Sequence, residues 1–240
     1  MPDTYKDEWI SNSHWLKLAF HASREFPDYP YVNVTYDQFK FEYDRVVNNI
    51  IRFAGEQTLA RELTIHCMPL SKAGYKVLTE RGIRALCCSH GYDASSDIES
   101  KLRPQDIKTL FTNRTEETSL PYYNPNPYAG GMDAALRAFN HIHEDINQTI
   151  STTSKFYTDD EHPIPLKDFV HMVLNTFSLD QIIPNLDKWL TGDFVGFCMH
   201  EQYFYPEYKS YQPDYCAKIE AAVKHVTEKG FTSIFMNEIL

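Results

Sequence analysis

Three predicted strands end in histidine, and these histidines are the residues best suited to chemistry. The strands WLKLAFH, LTIH and VGFCMH end at His21, His66 and His200. Carboxyl ends of parallel strands meet at one rim of an α/β fold, where ligands bind. An imidazole titrates near pH ~6.5, so it can act as an acid, a base or a metal ligand. We therefore expect a shared site, although each histidine taken alone also fits a hydrogen-bonded residue at a sheet edge.

Carboxylates lie close to these histidines in the sequence. Glu25 follows His21, and Glu201 directly follows His200. A carboxylate beside an imidazole can fix its tautomer, act as a general base on water or join a metal shell, and the sequence does not choose among these roles. The helical zinc-protease pattern is disfavoured, because position 204 is Phe204 rather than histidine.

Tyrosines are concentrated in the loop after His200, which reads EQYFYPEYKSYQPDY. An exposed ring with a polar tip suits the faces of sugars or of peptide side chains. The alternative is an aromatic-packed loop that anchors the last helix. The candidate substrate-binding residues are Tyr203, Tyr205 and Tyr208 from this loop and Tyr29 from the loop after His21.

The hydrophobic pattern predicts helices and strands in alternation. We expect a long helix from Tyr36 to Ala54, capped by Thr35 and Gly55, and a helix between Ser71 and Gly82. Further helices are predicted from Ser178 to Leu190, broken or kinked near Pro184, and from Asp214 to Lys229. Strands are predicted at Trp15–His21, Leu63–His66, Ile83–Cys88, Phe169–Asn175, Phe194–His200 and Phe231–Met236.

Two segments repeat one pattern of helix end, glycine and apolar strand, VLTERGIRALCC and HVTEKGFTSIFM. Repeated units of this kind favour parallel strands covered by helices, because a parallel pair needs a crossover connection. The expected fold is a single α/β domain over residues 1–240. Its architecture is a distorted or incomplete (β/α) barrel of about six to seven mostly parallel strands, with an irregular excursion at about 91–165.

The amino-acid composition and net charge indicate which classes of binding partner are disfavoured. The 240 residues are 42% hydrophobic and 23% charged, which is typical of a packed globular protein. A net charge of -10 disfavours nucleic acid and anionic membranes. The polar start and the lack of a long apolar run favour a soluble cytoplasmic protein. The sequence leaves a homo-oligomer open. Apolar flanks favour buried structural thiols over a Cys/His nucleophile at Cys67 or Cys198.

The strand-ending histidines, the unit AGYKVLTERGIRALCCS and the late VGFCMHEQ together resemble the polysaccharide deacetylase-like proteins of the glycoside hydrolase/deacetylase β/α-barrel superfamily. In that family a strand ending in Asp-Asp comes first and helps to hold a divalent metal. This chain opens on MPDTYKDEWISNS, so the resemblance predicts that the aspartate-bearing strand is lacking. The likeness extends over most of the chain as an order of elements.

The resemblance implies removal of N- or O-acetyl groups from a carbohydrate with a zinc-like divalent metal. It makes His21 a metal ligand, with Glu25 at the position of a second histidine ligand, and it makes His200 the general acid. Glu201 and His66 complete the expected catalytic group. Two alternatives stay open: a metal-independent glycosidase using paired carboxylates such as Glu25 and Glu201, and a non-catalytic carbohydrate-binding barrel.

Overall fold

The structure is a computed structural model, and it describes residues 1–24, 30–31, 34–66, 70–89, 156, 158, 164–169, 171–190 and 193–240. The predicted excursion at about 91–165 lies almost entirely outside the described residues. So do the candidate metal ligand Glu25 and the candidate substrate-binding residue Tyr29.

Five short strands form two parallel sheets in the described part of the chain. Strands β1 (Glu62–Leu63), β2 (Ala85–Ser89) and β3 (Leu166–Phe169) form one sheet in that order, and β4 (His171–Val173) pairs with β5 (Gly196–Cys198). Each pair joins strands that follow one another along the chain. The predicted mixed α/β fold with parallel strands is confirmed. The described residues contain five strands rather than six or seven, and they form no closed barrel.

The first predicted strand is reduced to a single parallel bridge between Leu18 and Leu59. Leu18 donates its N–H to Thr58 O at 2.8 Å, and His66 donates its N–H to His21 O at 3.0 Å. The prediction of a strand over Trp15–His21 is therefore wrong in extent, although the segment runs parallel to residues 58–66. Its Phe20 is fully buried among aromatic neighbours, so packing supports the segment where ladder bonds are few.

Helix α2 (Tyr36–Ala54) has the predicted bounds. Thr35 Oγ1 accepts a hydrogen bond from Gln38 N at 3.4 Å, which caps the first turn. Phe39 and Tyr43 are buried one turn apart, in the aromatic cluster that surrounds Phe20. The amphipathic spacing and the two caps together predicted this helix.

Gly55 ends α2 in a backbone conformation, φ 84° and ψ 156°, that L-residues rarely adopt. The short helix α1 (Lys6–Ser11) lies directly against it. A Cβ on Gly55 would come within 2.8 Å of Ile10 Cγ1, which is closer than carbon atoms pack. Backbone conformation and close approach therefore both require glycine here.

The repeated helix-glycine-strand pattern is confirmed once and wrong once. Helix α3 (Lys72–Glu80) is capped by Ser71, turns at Gly82 with φ 68° and leads into β2. Gly230 follows α5 (Tyr215–Glu228) with φ 92°, but residues 231–235 form no strand and a 3-10 helix follows. A strand covered on both faces needs buried side chains, whereas residues 232–234 are exposed.

Helix α4 (Leu179–Trp189) continues through Pro184, so the predicted break is not present. Proline removes one backbone donor and disfavours a helix interior. Ile182 and Leu186 on either side of it are fully buried against β4 and α5, in a second hydrophobic cluster with Met172 and Tyr215. Tertiary packing therefore outweighs the local cost. None of the described helices is long and apolar enough to cross a membrane.

Candidate functional site

His21 and His66 contact each other directly at the ends of neighbouring parallel segments. His21 Nε2 lies 3.1 Å from His66 Nδ1, and the two rings are nearly perpendicular with centroids 5.0 Å apart. The other nitrogen of His21, Nδ1, lies 2.6 Å from Thr64 O. The sequence predicted that these two imidazoles share a site, and the structure brings them together.

The hydrogen-bond partners determine the tautomers of this pair. A carbonyl only accepts, so His21 Nδ1 must carry the proton that bonds Thr64 O. In a neutral ring Nε2 of His21 is then the acceptor, and His66 Nδ1–H donates to it. His66 Nε2, which is buried, is then the nitrogen of the two rings whose lone pair is not used in this contact. The donors thus run in one direction, from His66 to His21 and from His21 to Thr64 O.

The segment that carries His21 is held in place by hydrogen bonds to a buried carboxylate. Glu42 of α2 is 8% exposed, and its Oε2 accepts from Ser23 Oγ at 2.5 Å and from Tyr31 Oη at 3.2 Å. Tyr31 Oη in turn accepts the N–H of Ser23 at 2.8 Å. Burial raises the pKa of Tyr31, so its hydroxyl keeps its proton. The chain just after His21 is thereby held against α2.

His200 follows β5 and is held by a different set of partners. Its Nδ1 lies 2.9 Å from Asn175 Oδ1, and its backbone N–H donates to Tyr215 Oη at 3.0 Å. The ring of Tyr203 packs edge-on with centroids 6.2 Å apart. Because the amide oxygen accepts, His200 is the Nδ1–H tautomer and its Nε2 carries the lone pair.

Cys198 lies two residues before His200, with Sγ 3.9 Å from His200 Nε2. Burial raises the pKa of the Cys198 thiol. A reactive cysteine needs thiolate character, which a raised pKa opposes. Cys198 is half-buried, and its raised pKa keeps the thiol protonated, which disfavours a nucleophile.

The three predicted histidines thus fall into two hydrogen-bonded groups, His21 with His66 and His200 with Asn175. Asn175 was missed by the sequence reasoning, although a signal existed. It ends the predicted strand Phe169–Asn175, so the same strand-end rule that selected the histidines also selects it. Thr64, whose carbonyl orients His21, gives no sequence signal, because any residue type supplies a backbone oxygen.

A divalent metal can be tested against the nitrogen pair. Two nitrogens bound to one tetrahedral zinc at about 2.0–2.1 Å lie roughly 3.3–3.4 Å apart, which is close to the 3.1 Å found between His21 and His66. A ring anchored through Nδ1 to a carbonyl is also typical of metal-bound histidine. In the part of the chain that the structure describes, no group of three potential ligands is present. The distance is compatible with two ligands of one metal, which would have to replace the proton of the hydrogen bond between the two nitrogens.

The carboxylate and tyrosine candidates differ in exposure. Glu201 is exposed at the start of a 3-10 helix, Glu201–Phe204, and Tyr205 is 56% exposed. Tyr203 and Tyr208 are half-buried and pack edge to face, with centroids 5.5 Å apart. Tyr203 also packs on Tyr215 of α5. Tyr205 is therefore the tyrosine of the three with the most ring surface open to a ligand.

A cavity of about 380 Å³ is lined in part by Ala19 and Thr64, each two residues before one of the paired histidines, but neither histidine lines it. Glu62 and Arg84 line it as an ion pair, with 2.7 Å between Oε1 and Nη2. Lys17 also lines it and donates to Gln57 O at 2.7 Å. The volume is within the usual range for small-molecule sites, about 300–1,000 Å³.

Comparison with known proteins finds no relative for this chain. No protein-family model, no curated protein and no solved structure matches it.

Proposed function

We propose that the chain is a carbohydrate-active hydrolase on an incomplete (β/α) barrel, and that it removes N- or O-acetyl groups from a sugar polymer. The observation that carries the proposal is the contact of His21 Nε2 with His66 Nδ1 at 3.1 Å, at the ends of adjacent parallel segments. The resemblance to polysaccharide deacetylase-like proteins supports the choice of substrate. The pairing of successive parallel strands supports the architecture.

In this proposal His21 and Glu25 would hold a zinc-like divalent ion, as the resemblance implies, and the 3.1 Å contact with His21 moves His66 from the expected catalytic group to a third ligand. Such an ion supplies Lewis-acid polarisation of a carbonyl when it is bound. To offer Nδ1 to it, His66 must move its proton from Nδ1 to Nε2. Thr64 O meanwhile keeps the proton of His21 on Nδ1 and leaves Nε2 as the donor atom.

His200 and Glu201 perform the proton transfers. Glu201 takes a proton from the attacking water, whose oxygen forms a bond to the acetyl carbon. Protonated His200 gives a proton from Nε2 to the sugar oxygen or nitrogen as its bond to the acetyl carbon breaks. The products are acetic acid and a free hydroxyl or amine. Asn175 supports this role, because it occupies Nδ1 and so directs Nε2 to the reaction.

Exposed apolar side chains around His200 support a sugar substrate. Met199 is 49% exposed, Phe204 39%, Tyr205 56% and Tyr211 40%. Flat rings beside hydroxyl groups suit the apolar face of a pyranose. The net charge of -10 favours a neutral or cationic polymer over an anionic one.

The test is release of acetate from acetylated oligosaccharides with added zinc, together with metal analysis of the purified protein. We expect His66→Ala to lose bound metal. His200→Gln should keep the metal and lose about 10²–10⁴-fold in rate, the usual contribution of an acid–base residue. The matched control is His14→Ala, since His14 contacts only its own turn through Ser11 O in the described residues. That control should keep both metal and rate.

Absence of acetate release with and without zinc would overturn the proposal. Cleavage of glycosidic linkages that is independent of metal and abolished by Glu201→Gln would instead support the glycosidase alternative. Sugar binding that survives His200→Ala without turnover would support the non-catalytic alternative.

A further inference from the structure

Lys218 of α5 is a buried cation that the proposed chemistry does not use. The residue is 4% exposed, and its Nζ donates to Gln212 Oε1 at 2.8 Å and lies 3.3 Å from Asp214 Oδ1. A buried ammonium is costly unless its protons are bound by acceptors. Lys218 therefore requires an acceptor from the segment that precedes α5.

This requirement fixes the orientation of the Gln212 amide. An ammonium group only donates, so the amide must present its oxygen to Lys218 and its nitrogen to the opposite side. Gln212 Nε2 there donates to Asn175 O at 2.8 Å. The Gln212 backbone also donates to Tyr203 O and accepts from Tyr215 N, both at 3.1 Å. One glutamine thus joins the segments after β4 and β5 to the start of α5.

Asn175 is the link from Gln212 to the imidazole. Its backbone carbonyl accepts from Gln212 and its side-chain oxygen accepts from His200 Nδ1 at 2.9 Å. Because the side chain starts from the peptide that Gln212 holds, the Gln212 bond limits where the amide oxygen can lie. The tautomer of His200 depends on that oxygen.

We infer that Gln212, oriented by the buried ammonium of Lys218, is a positioning residue that holds Asn175 against His200 and keeps the His200 proton on Nδ1. The effect on catalysis rests on the proposed function of His200. The position of the His200 proton does not depend on that function, so the positioning role and the proposed function can be tested separately.

The experiment is long-range ¹H–¹⁵N NMR of the histidine rings at about pH 9, well above the ordinary imidazole pKa of about 6.5. Loss of one set of signals in His200→Gln assigns that ring. We expect the wild-type ring to be Nδ1–H. Gln212→Glu keeps the shape and the partner of Lys218 but places an oxygen against Asn175 O, so it should shift the ring toward Nε2–H.

The matched control is Gln202→Glu, which makes the same change in charge near His200 but lies outside the hydrogen-bond chain in the described residues. It should leave the His200 tautomer unchanged. Lys218→Met replaces the cation by an unbranched apolar side chain, and it should shift the His200 tautomer in the same direction as Gln212→Glu. It therefore tests the inference even where the Gln212→Glu protein does not fold. In an assay of acetate release, Gln212→Glu should lower kcat about tenfold with KM nearly unchanged. This is the usual size of effect for a residue that orients a functional side chain through a hydrogen bond.

A wild-type His200 in the Nε2–H form would overturn the inference. So would a Gln212→Glu protein that folds and keeps the wild-type tautomer. If the tautomer shifts as expected but no variant, nor the wild type, releases acetate, the positioning role stands and the proposed deacetylation fails.

Discussion

The two groups of histidines are built in contrasting ways. The His21–His66 pair is held by the backbone of neighbouring parallel segments, through Thr64 O and the His66 N–H bond to His21 O. His200 is held by side chains, those of Asn175 and Tyr215. Backbone partners persist when side chains are exchanged, whereas side-chain partners can be lost by single substitutions. The first group is therefore expected to tolerate mutation of its neighbours better than the second.

Each group also has its own hydrophobic cluster. The cluster around Phe20 supports the first group, and the cluster around Leu186 supports the second. Whether these clusters unfold together decides whether they form one cooperative folding unit.

The largest effect is expected for Phe20→Ala. Phe20 is fully buried, with ring centroids of Phe39 and Tyr43 5.6 Å and 5.1 Å away. Removing a buried phenyl ring should lower the free energy of unfolding by about 3–5 kcal/mol, measured by urea denaturation. The control is Phe41→Ala. Phe41 lies in α2 together with Phe39 and Tyr43 but is 65% exposed, so its removal should change the free energy of unfolding by less than about 0.5 kcal/mol.

Leu186→Ala tests the second cluster. Leu186 is fully buried between β4 and α5, so the loss should be about 2–5 kcal/mol. Ile183→Ala, 41% exposed on the same helix, is its control. If Phe20→Ala and Leu186→Ala shift one common transition, the clusters form one cooperative unit. Two separate transitions, each moved by only one variant, would contradict a single domain over residues 1–240.

Helix caps give a smaller contrast. Ser71 Oγ accepts from Gly74 N at 3.0 Å and donates to Val34 O at 2.7 Å, and the residue is fully buried. Ser71→Ala should cost about 2 kcal/mol, because the cap is lost and a buried carbonyl loses its donor. Ser178 Oγ, at the start of α4, is exposed and donates to Asp180 Oδ1 at 2.6 Å, so Ser178→Ala should cost only about 0.5 kcal/mol. Equal losses in thermal melts would contradict this difference in burial.

The smallest effect concerns the pair of Arg81 with Asp44. Two bonds of 2.7 Å from the Arg81 guanidinium lower the pKa of the Asp44 carboxyl. A lowered folded pKa adds stability above the unfolded value of about 3.9, and this stability is lost as the pH falls through the folded pKa. Both side chains are about a third exposed, so Asp44→Asn should cost only about 0.5–1 kcal/mol at neutral pH. The wild type and the variant should converge in acid; a constant difference down to about pH 2 would contradict the assignment.

Local signals predicted the helices well. Thr35 and Gly55 bracket α2, and Ser71 and Gly82 bracket α3, because caps and left-handed glycines act within a few residues of the helix. Strand lengths were overestimated, since a strand exists only where a neighbour pairs with it. The apolar run Phe231–Met236 shows the difference, because its composition suits a strand but residues 231–235 pair with none in the described sheets.

The candidate site was predicted in part. The strand-end rule selected His21 and His66, and they are in contact. The partners that orient the imidazoles could not be predicted, because Thr64 acts through its backbone and Gln212 lies 37 residues from Asn175 in sequence. Pairings over such distances depend on the packed fold rather than on local sequence.

Gly55 limits which substitutions related sequences can accept at this position. Two independent constraints act on it, the φ of 84° and the 2.8 Å approach of Ile10 to the place of a Cβ. A smaller residue at position 10 would relieve the second constraint but leave the first. We therefore expect compensating changes at Ile10 not to rescue a substituted Gly55. In related sequences with another residue at position 55, the amino-terminal helix should have a different docking at Ile10.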